Sequence, residues 1–342
     1  MLSYITHDES QIPKDFPSSG QTGMDSFRHL PVLQLQFRLA ACDDFVGYPI
    51  LGSTLRGAFG SALKDVSCTV GHRKCEICLL NTACHYTRIF DPQTQKNAPR
   101  PFTFQIPVPP LNPKLSVEDS LKLRIQKGKS LPFGLTVFGD EANAKLPYII
   151  FAVSQMARKG LGMPRKEFYL QKVSASGVTI FDAEQNRIAE CDQETTKLSD
   201  LCEKRLAGLY VQDRLTLRFL TPVWLREENR FVEKPDFFHL VKFLLKRLKN
   251  ILDYFASGPF DLDETEFLDK ARNIEVISES LWRHDFEFYS NRRHKKESQS
   301  GILGEMTVTG EDLNMFLPLL VAGEMLHVGS KTSFGLGRYE IL

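Results

Sequence analysis

Pro235-Asp-Phe-Phe-His-Leu-Val-Lys-Phe-Leu-Leu-Lys-Arg-Leu-Lys-Asn-Ile-Leu-Asp-Tyr-Phe255 decides how the chain folds. Phe238, Val241, Leu244, Leu245, Leu248, Ile251, Leu252 and Phe255 recur every three to four residues, so they share one stripe of a helix that must lie on a second layer. Pro235 opens that helix, since proline has no N–H to leave unbonded in a first turn. Working outward, residues 214–225 read as a strand before it, and residues 281–289 and 304–309 as strands after it. Residues 312–326 predict a second helix and residues 337–342 a closing strand. The element order is strand, helix, strand, strand, helix, strand.

The first half of the chain repeats that order. Leu33-Gln-Leu-Gln-Phe-Arg-Leu39 alternates with the period of a half-buried strand. Residues 53–64 predict a helix with Ser53 or Thr54 as N-cap and Leu55, Ala58, Phe59, Ala62 and Leu63 on one face. Strands at 121–125 and 131–138, a helix at 146–157 and a strand at 168–173 complete the set. Two such units make an α+β protein of two tandem ferredoxin-like domains, a βαββαβ plan shared with the RNA recognition motif. The expected boundaries are a loose polar extension at 1–28, a first domain at 29–205 and a second at 206–342. A Cys-rich, metal-binding insertion at 67–90 interrupts the first, and a Gly-rich loop marks the second. With 342 residues, 42% hydrophobic and 25% charged, the chain has material for both cores. No run approaches the roughly 20 apolar residues of a membrane span, and residues 1–25 lack the apolar segment of a secretory signal. The expected setting is cytoplasmic, without a membrane partner.

This plan hosts many activities, so function rests on sites. Cys68-x6-Cys75-x2-Cys78-x5-Cys84 puts four thiolate donors in one loop. Structural zinc is the first expectation, with an iron–sulfur cluster or packed thiols as alternatives, and His72 or His85 could replace a flanking cysteine. Cys75-Glu-Ile-Cys78 does not open a helix after a strand, which argues against a redox motif. Gly329-Ser-Lys-Thr-Ser-Phe-Gly-Leu-Gly337 offers Gly329, Gly335 and Gly337 for close backbone approach to a phosphate, with Lys331, Thr332 and Ser333 as further donors. It lacks the Walker pattern, so an NTPase reading fails; a plain Gly-rich turn is the alternative.

Tyr289-Ser-Asn-Arg-Arg-His-Lys-Lys296 gathers Arg292, Arg293, Lys295 and Lys296 around His294, with His284 upstream. Such a run neutralises phosphates while Tyr289 stacks on a base, or else it is a solvated loop. Arg56 in the first helix and a weaker patch of Arg158, Lys159, Arg165 and Lys166 are further candidate RNA contacts. The net charge of +1 gives nucleic-acid binding no support for the chain as a whole, so a phosphate-binding site here requires local segregation of charge.

Gly52-Ser-Thr-Leu-Arg-Gly-Ala-Phe-Gly60, the cysteine cluster, Tyr86-x-x-Ile-Phe90 and Leu131-Pro-Phe-Gly-Leu-Thr-Val-Phe-Gly139 together resemble the CRISPR precursor-RNA-processing endoribonucleases of the RAMP superfamily. Phe219-Leu-Thr-Pro222, Tyr289-Ser-Asn-Arg-Arg, Gly301-Ile-Leu-Gly304 and the closing Gly-rich loop are similar to that family's C-terminal domain. The resemblance covers most of residues 30–342. It implies a Gly-rich loop gripping the backbone of CRISPR repeat RNA, and cleavage of precursor crRNA on the 3′ side of a repeat stem. It further implies that no cofactor is required for the reaction: the 2′-OH attacks the adjacent phosphate, leaving a 2′,3′-cyclic phosphate and a 5′-OH. Other CRISPR-associated proteins are implied partners.

One departure stands out. Many relatives carry a catalytic histidine on or just after the first helix, and residues 53–64 contain none. His294 and His284 become the candidate proton-transfer groups, with Tyr289 and Lys331 assisting, or the site is built on Lys and Arg alone. Two rival readings share these features: a non-catalytic RNA-binding subunit of a CRISPR effector complex, and a zinc-stabilised protein-interaction module.

Overall fold

The computed structural model describes residues 26–71, 74–91, 98–108, 122–139, 144–185, 187–188, 196–209, 211, 213–228, 230–258, 260, 262–290 and 295–342. Strand β1 (Pro31–Ala41) is the centre of the first sheet, and its alternating Leu33, Leu35, Phe37 and Leu39 all point into the core. Around it lie β2 (Phe102–Gln105), β3 (Ser130–Phe138), β4 (Phe168–Ala175) and β5 (Val178–Asp182). Their order is β2-β3-β1-β4-β5, with every neighbouring pair antiparallel. Helices α1 (Gly52–Ser67) and α2 (Leu146–Lys159) pack side by side on this sheet. Leu55, Phe59, Ala62 and Leu63 of α1 are buried as their spacing requires, and the Phe59 ring meets Phe102 and Phe104 edge-on at 6.1 and 5.8 Å.

The edge strand differs from the sequence expectation. Residues 123–125 pair with Phe45–Gly47 in a separate two-stranded ribbon, and the sheet edge is instead Phe102-Thr-Phe-Gln105. Pro101 and Pro107 bracket that strand and give it the composition of a loop. Prolines there are tolerable because an edge strand need not donate on both sides.

The second half repeats the plan. Strands β6 (Arg214–Val223), β7 (Glu275–Glu279), β8 (Trp282–Ser290), β9 (Lys295–Thr309) and β10 (Tyr339–Ile341) form a sheet in the order β7-β9-β6-β10, with β8 also on β9. β7 and β8 are two lengths of one edge. Gly304 sits opposite the break with φ near +114°, and a side chain there would come within 2.1 Å of the Ser280 carbonyl oxygen. Beyond the break, β8 and β9 continue as a long hairpin whose Phe286 packs against the first domain's core.

Helix α3 (Leu198–Leu206) precedes β6, and α4 (Phe237–Phe255), α5 (Glu264–Arg272) and α6 (Leu317–Leu326) lie between β6 and β10 in the chain. α4 begins two residues after Pro235: Asp236 is its N-cap and accepts from the His239 amide at 2.9 Å. Phe237 and Leu240 join the buried stripe, while Phe238 and Phe255 sit at its border. α6 is apolar at every position but Glu324 because α3, α4 and β10 pack around it.

The two cores interlock. Phe27, Leu30, Val32 and Phe138, together with Leu198, Cys202 and Leu206 of α3, belong to the second core, whereas Leu336 belongs to the first. Arg205 of α3 fixes the join by a two-pronged bond to Glu324 of α6, 2.9 Å from Nε and 3.2 Å from Nη2. His327 ends α6 wholly buried, its Nδ1–H donating to the Leu336 carbonyl at 3.1 Å. Burial, then the nearby Arg338 and Arg247, push its pKa down to about 3.

Two tests follow from this packing. An unfolded histidine titrates near 6.5, so His327 favours the folded state fully above that pH and progressively less as pH falls toward 3, where protonation favours the open chain. His327→Gln should flatten the loss of melting temperature between pH 7 and pH 4; an identical acid slope would exclude the residue. A Cβ on Gly52 would stand 1.7 Å from the Phe334 carbonyl oxygen, so Gly52→Ala should destabilise by about 1–3 kcal/mol despite alanine's higher helix propensity. A thermal melt unchanged from wild type would contradict that contact.

Candidate nucleic-acid interface

An open groove runs between the domains. It is walled by α1, the loop at 160–166, the β8–β9 hairpin and the Gly-rich loop. Among the described residues, its lining carries ten Lys or Arg and four Asp or Glu, whereas the whole chain has a net charge of +1. Charge is therefore segregated to this one surface, and that is the condition phosphate binding imposes on a near-neutral protein.

The Gly-rich loop is held in place by the end of β6. Thr221 Oγ1 donates to the Gly335 carbonyl and accepts from the Arg338 amide, both at 2.8 Å. The Ser330 amide donates to Trp224 O at 3.0 Å and the Gly337 amide to Pro222 O at 3.1 Å. Phe219-Leu-Thr-Pro222 and the closing loop, far apart in sequence, are one clamp. Gly335 and Gly337 have positive φ and are packed from behind: a Cβ on Gly335 would reach the Phe104 carbonyl oxygen at 2.9 Å. Their N–H groups are spent on Thr332 O within the loop and on Pro222 O of β6, so these two glycines shape the loop. Its groove-facing part is Gly329 with Lys331, Thr332, Ser333 and Phe334.

Arg56, from the second turn of α1, crosses the groove floor. Its guanidinium lies between the rings of Phe90 and Phe334, 4.4 and 4.5 Å from their centroids, and so ties the first domain to the loop of the second. Burial and then Arg100 draw its pKa down to about 10, which leaves it charged at neutral pH. Burial likewise pushes the Tyr86 phenol up to about 12, so Tyr86 enters the groove protonated. Arg56 Nε, Arg100 Nε and Arg247 Nη2 are buried without a hydrogen-bond partner, and all three residues line the groove. Arg247 reaches it from α4 while its Nε donates to the Leu326 carbonyl at 2.6 Å, capping α6. Buried donors without acceptors are rare in proteins, and their concentration here marks a surface made for an anion.

Of the candidate RNA contacts read from sequence, the fold brings Arg56, Arg165, Lys166, Lys296, Gly329, Lys331 and Ser333 to the groove. Arg158 and Lys295 are exposed outside its lining. His284 lies on β8, half-buried and stacked on Phe286 with ring centroids 6.1 Å apart, also outside the groove; burial holds its pKa below the usual histidine value. Arg292, Arg293 and His294 lie outside the described residues, and Tyr289 is described by its backbone alone. Tyr86, Arg100 and Arg247 were missed: a single polar residue inside a helix or beside a proline-rich loop carries no periodic signal.

Among the described residues, no group of three or more His, Cys, Asp or Glu is gathered to hold an ion, so the zinc expected at Cys68, Cys75, Cys78 and Cys84 stays an expectation from their spacing. Cys75 and Cys84 are turned against the apolar core, where burial pushes the Cys75 thiol up, and Cys68 caps the end of α1. His85 stacks on Tyr148 at 3.8 Å. Also among the described residues, no helix is long and apolar enough to cross a membrane.

Residues 217–339 match the family model of the CRISPR-associated endoribonuclease Cas6, and residues 30–193 match a second model, AF_1859_N, described as an N-terminal domain. An uncharacterised protein of Archaeoglobus fulgidus is 24% identical over 295 residues, 86% of this chain and 92% of that one. Thermus thermophilus Cas6 (TTHB231) shares the fold with a TM-score of 0.53 at 17% identity, over 92% of this chain and 99% of its own. The structure of the Cas6 (TTHB231) product complex gives 0.53 at 18%, over 91% and 99%. A partial Cas6-RT-Cas1–Cas2 complex gives 0.55 at 14%, over 92% of this chain and 46% of that one. Most of the last sheet, its clamp and its Gly-rich loop fall within residues 217–339, the part of the chain that matches the model of the CRISPR-associated endoribonuclease Cas6.

Proposed function

We propose that this chain binds CRISPR repeat RNA in the groove between its domains and cuts precursor crRNA into guide units. The observation that carries the reading is the groove itself, where cations and orphaned donors gather between α1 and the Gly-rich loop. In the reaction the 2′-oxygen forms a bond to the adjacent phosphorus as its proton passes to a base. The bond to the 5′-oxygen breaks, and that oxygen takes up a proton. Arg56 and Lys331 face the groove from opposite domains and are placed to stabilise the charge that builds on the phosphorus oxygens. His294 is the candidate proton-transfer group from the basic run, with Tyr289 five residues before it.

One observation favours a second reading. Among the described residues no histidine lines the groove, as would suit a subunit that holds guide RNA without cutting it. Single-turnover assays in EDTA separate the two, using labelled repeat RNA and the same RNA with a 2′-deoxy group at the cut. Cleavage of the first alone supports the endoribonuclease; tight binding with no cleavage supports the non-catalytic subunit.

Charge-removing variants test the groove under either reading. Arg56→Ala and Lys331→Ala should each weaken RNA binding by about tenfold and lower the slope of log K against log salt by about 1. Arg158→Ala, which removes an exposed charge outside the groove, should leave both within about twofold. Equal losses from all three would mean that the RNA does not follow this groove.

A further inference from the structure

Beside the groove, where α1, the hairpin and the Gly-rich loop meet, is a narrow cleft lined by Ile50, Ser53, Phe288, Gln299, Lys331 and Phe334, among others. Gln299 is the one neutral amide in it. Only 6% of the residue is exposed, and its Nε2 is buried with no hydrogen-bond partner. The orientation of the amide is not arbitrary: Gln299 Oε1 accepts from the Lys331 ammonium, which can only donate, so the NH2 end is the one left without an acceptor. Lys331 is itself in the left-handed backbone region, at φ 59° and ψ 31°, and its ammonium lies 4.3 Å from the Phe288 ring centroid and 5.2 Å from that of Trp224. Ser53 belongs to the first turn of α1, a 16-residue helix whose N-terminus has no side-chain cap. The first turn of α1, an ammonium and an amide NH2 therefore border one cleft, and among the described residues no acidic side chain lines it.

We propose that Gln299 is a positioning residue for one RNA phosphate, holding the Lys331 ammonium through Oε1 and donating from Nε2 to a phosphate oxygen seated at the N-terminus of α1. The proposal rests on the RNA-binding reading above and adds to it a specific phosphate. The size of the cleft fixes the chemical group: about 10 Å³ is room for one water-sized group. A phosphate oxygen fits, and a base does not. Gln299 differs from the cations of the groove in having no charge to offer, so its contribution is directional. It selects where along the RNA a phosphate may sit.

The test is a scan of repeat RNAs, each with one backbone phosphate replaced by a neutral methylphosphonate and a 2′-deoxy group at the cut, so that affinity is read without cleavage. Wild type should lose about tenfold in affinity at the phosphate held by Gln299 and Lys331. Gln299→Met, similar in length and unable to donate, should bind unmodified RNA about tenfold more weakly and show no further loss at that one phosphate, while keeping its losses at the others. Gln299→Glu retains the acceptor for Lys331 but turns an anionic oxygen on the phosphate, and should bind more weakly than Gln299→Met. Far-ultraviolet circular dichroism melts of both variants confirm folding. Wild-type affinity in both variants, or a uniform loss at every phosphate in Gln299→Met, would overturn the role of Gln299 and leave the groove standing. Failure of the wild-type protein to bind any repeat RNA would overturn both, whereas binding in the proposed pattern without cleavage of the unmodified repeat would overturn only the endoribonuclease reading.

Discussion

The groove exists because the first turn of α1 lies directly against the Gly-rich loop. At Gly52 the space behind the helix is filled by the Phe334 carbonyl, and one turn later Arg56 lies between the Phe334 ring and Phe90 of the other domain. A backbone-to-backbone contact of this kind has no slack: either the two surfaces meet at one spacing or they do not meet. The site depends on it, since Ser53 and Lys331 come from different domains. The loop is rigid on its other side too, clamped by Thr221, so the helix docks on a fixed surface.

Electrostatics then follows from geometry. A near-neutral chain can still present a cationic surface if its acids are used elsewhere, and many are. Glu324 binds Arg205, Glu305 and Glu340 share Arg218, and Glu264 binds Lys249, all away from the groove lining. Surface pairs of this kind add little stability. Their effect here is one of subtraction, because each acid engaged at a distance leaves the groove's cations less compensated.

Much of this was legible in the sequence, and for identifiable reasons. α4 and β1 are surface elements with one buried face, so periodicity disclosed them. The glycines of 329–337 and the Thr221 segment were visible as motifs, and their positions in the groove and clamp follow from the fold. Where burial is on all sides, or where prolines interrupt, periodicity fails: Phe102–Gln105 was hidden in a proline-rich stretch, and α3 in a charged one. The cysteine spacing speaks only of distance along the chain; in the fold, Cys75 and Cys84 pack against the first core. Gln299 had no signal at all. A glutamine in a polar strand is ordinary until its neighbours remove every acceptor but leave the donor in place.

The interlocked cores have a consequence for how such a protein can change. Phe27, Leu30 and Phe138 lend their side chains to the second core and Leu336 lends its own to the first, so neither half completes its interior alone. Two copies of one fold are usually pictured as beads that can be cut apart, shuffled or diverge at separate rates. Here each half is part of the other's solvent-excluded interior, and a substitution in either is felt by both. The pair folds as one unit, and the groove lies along its seam.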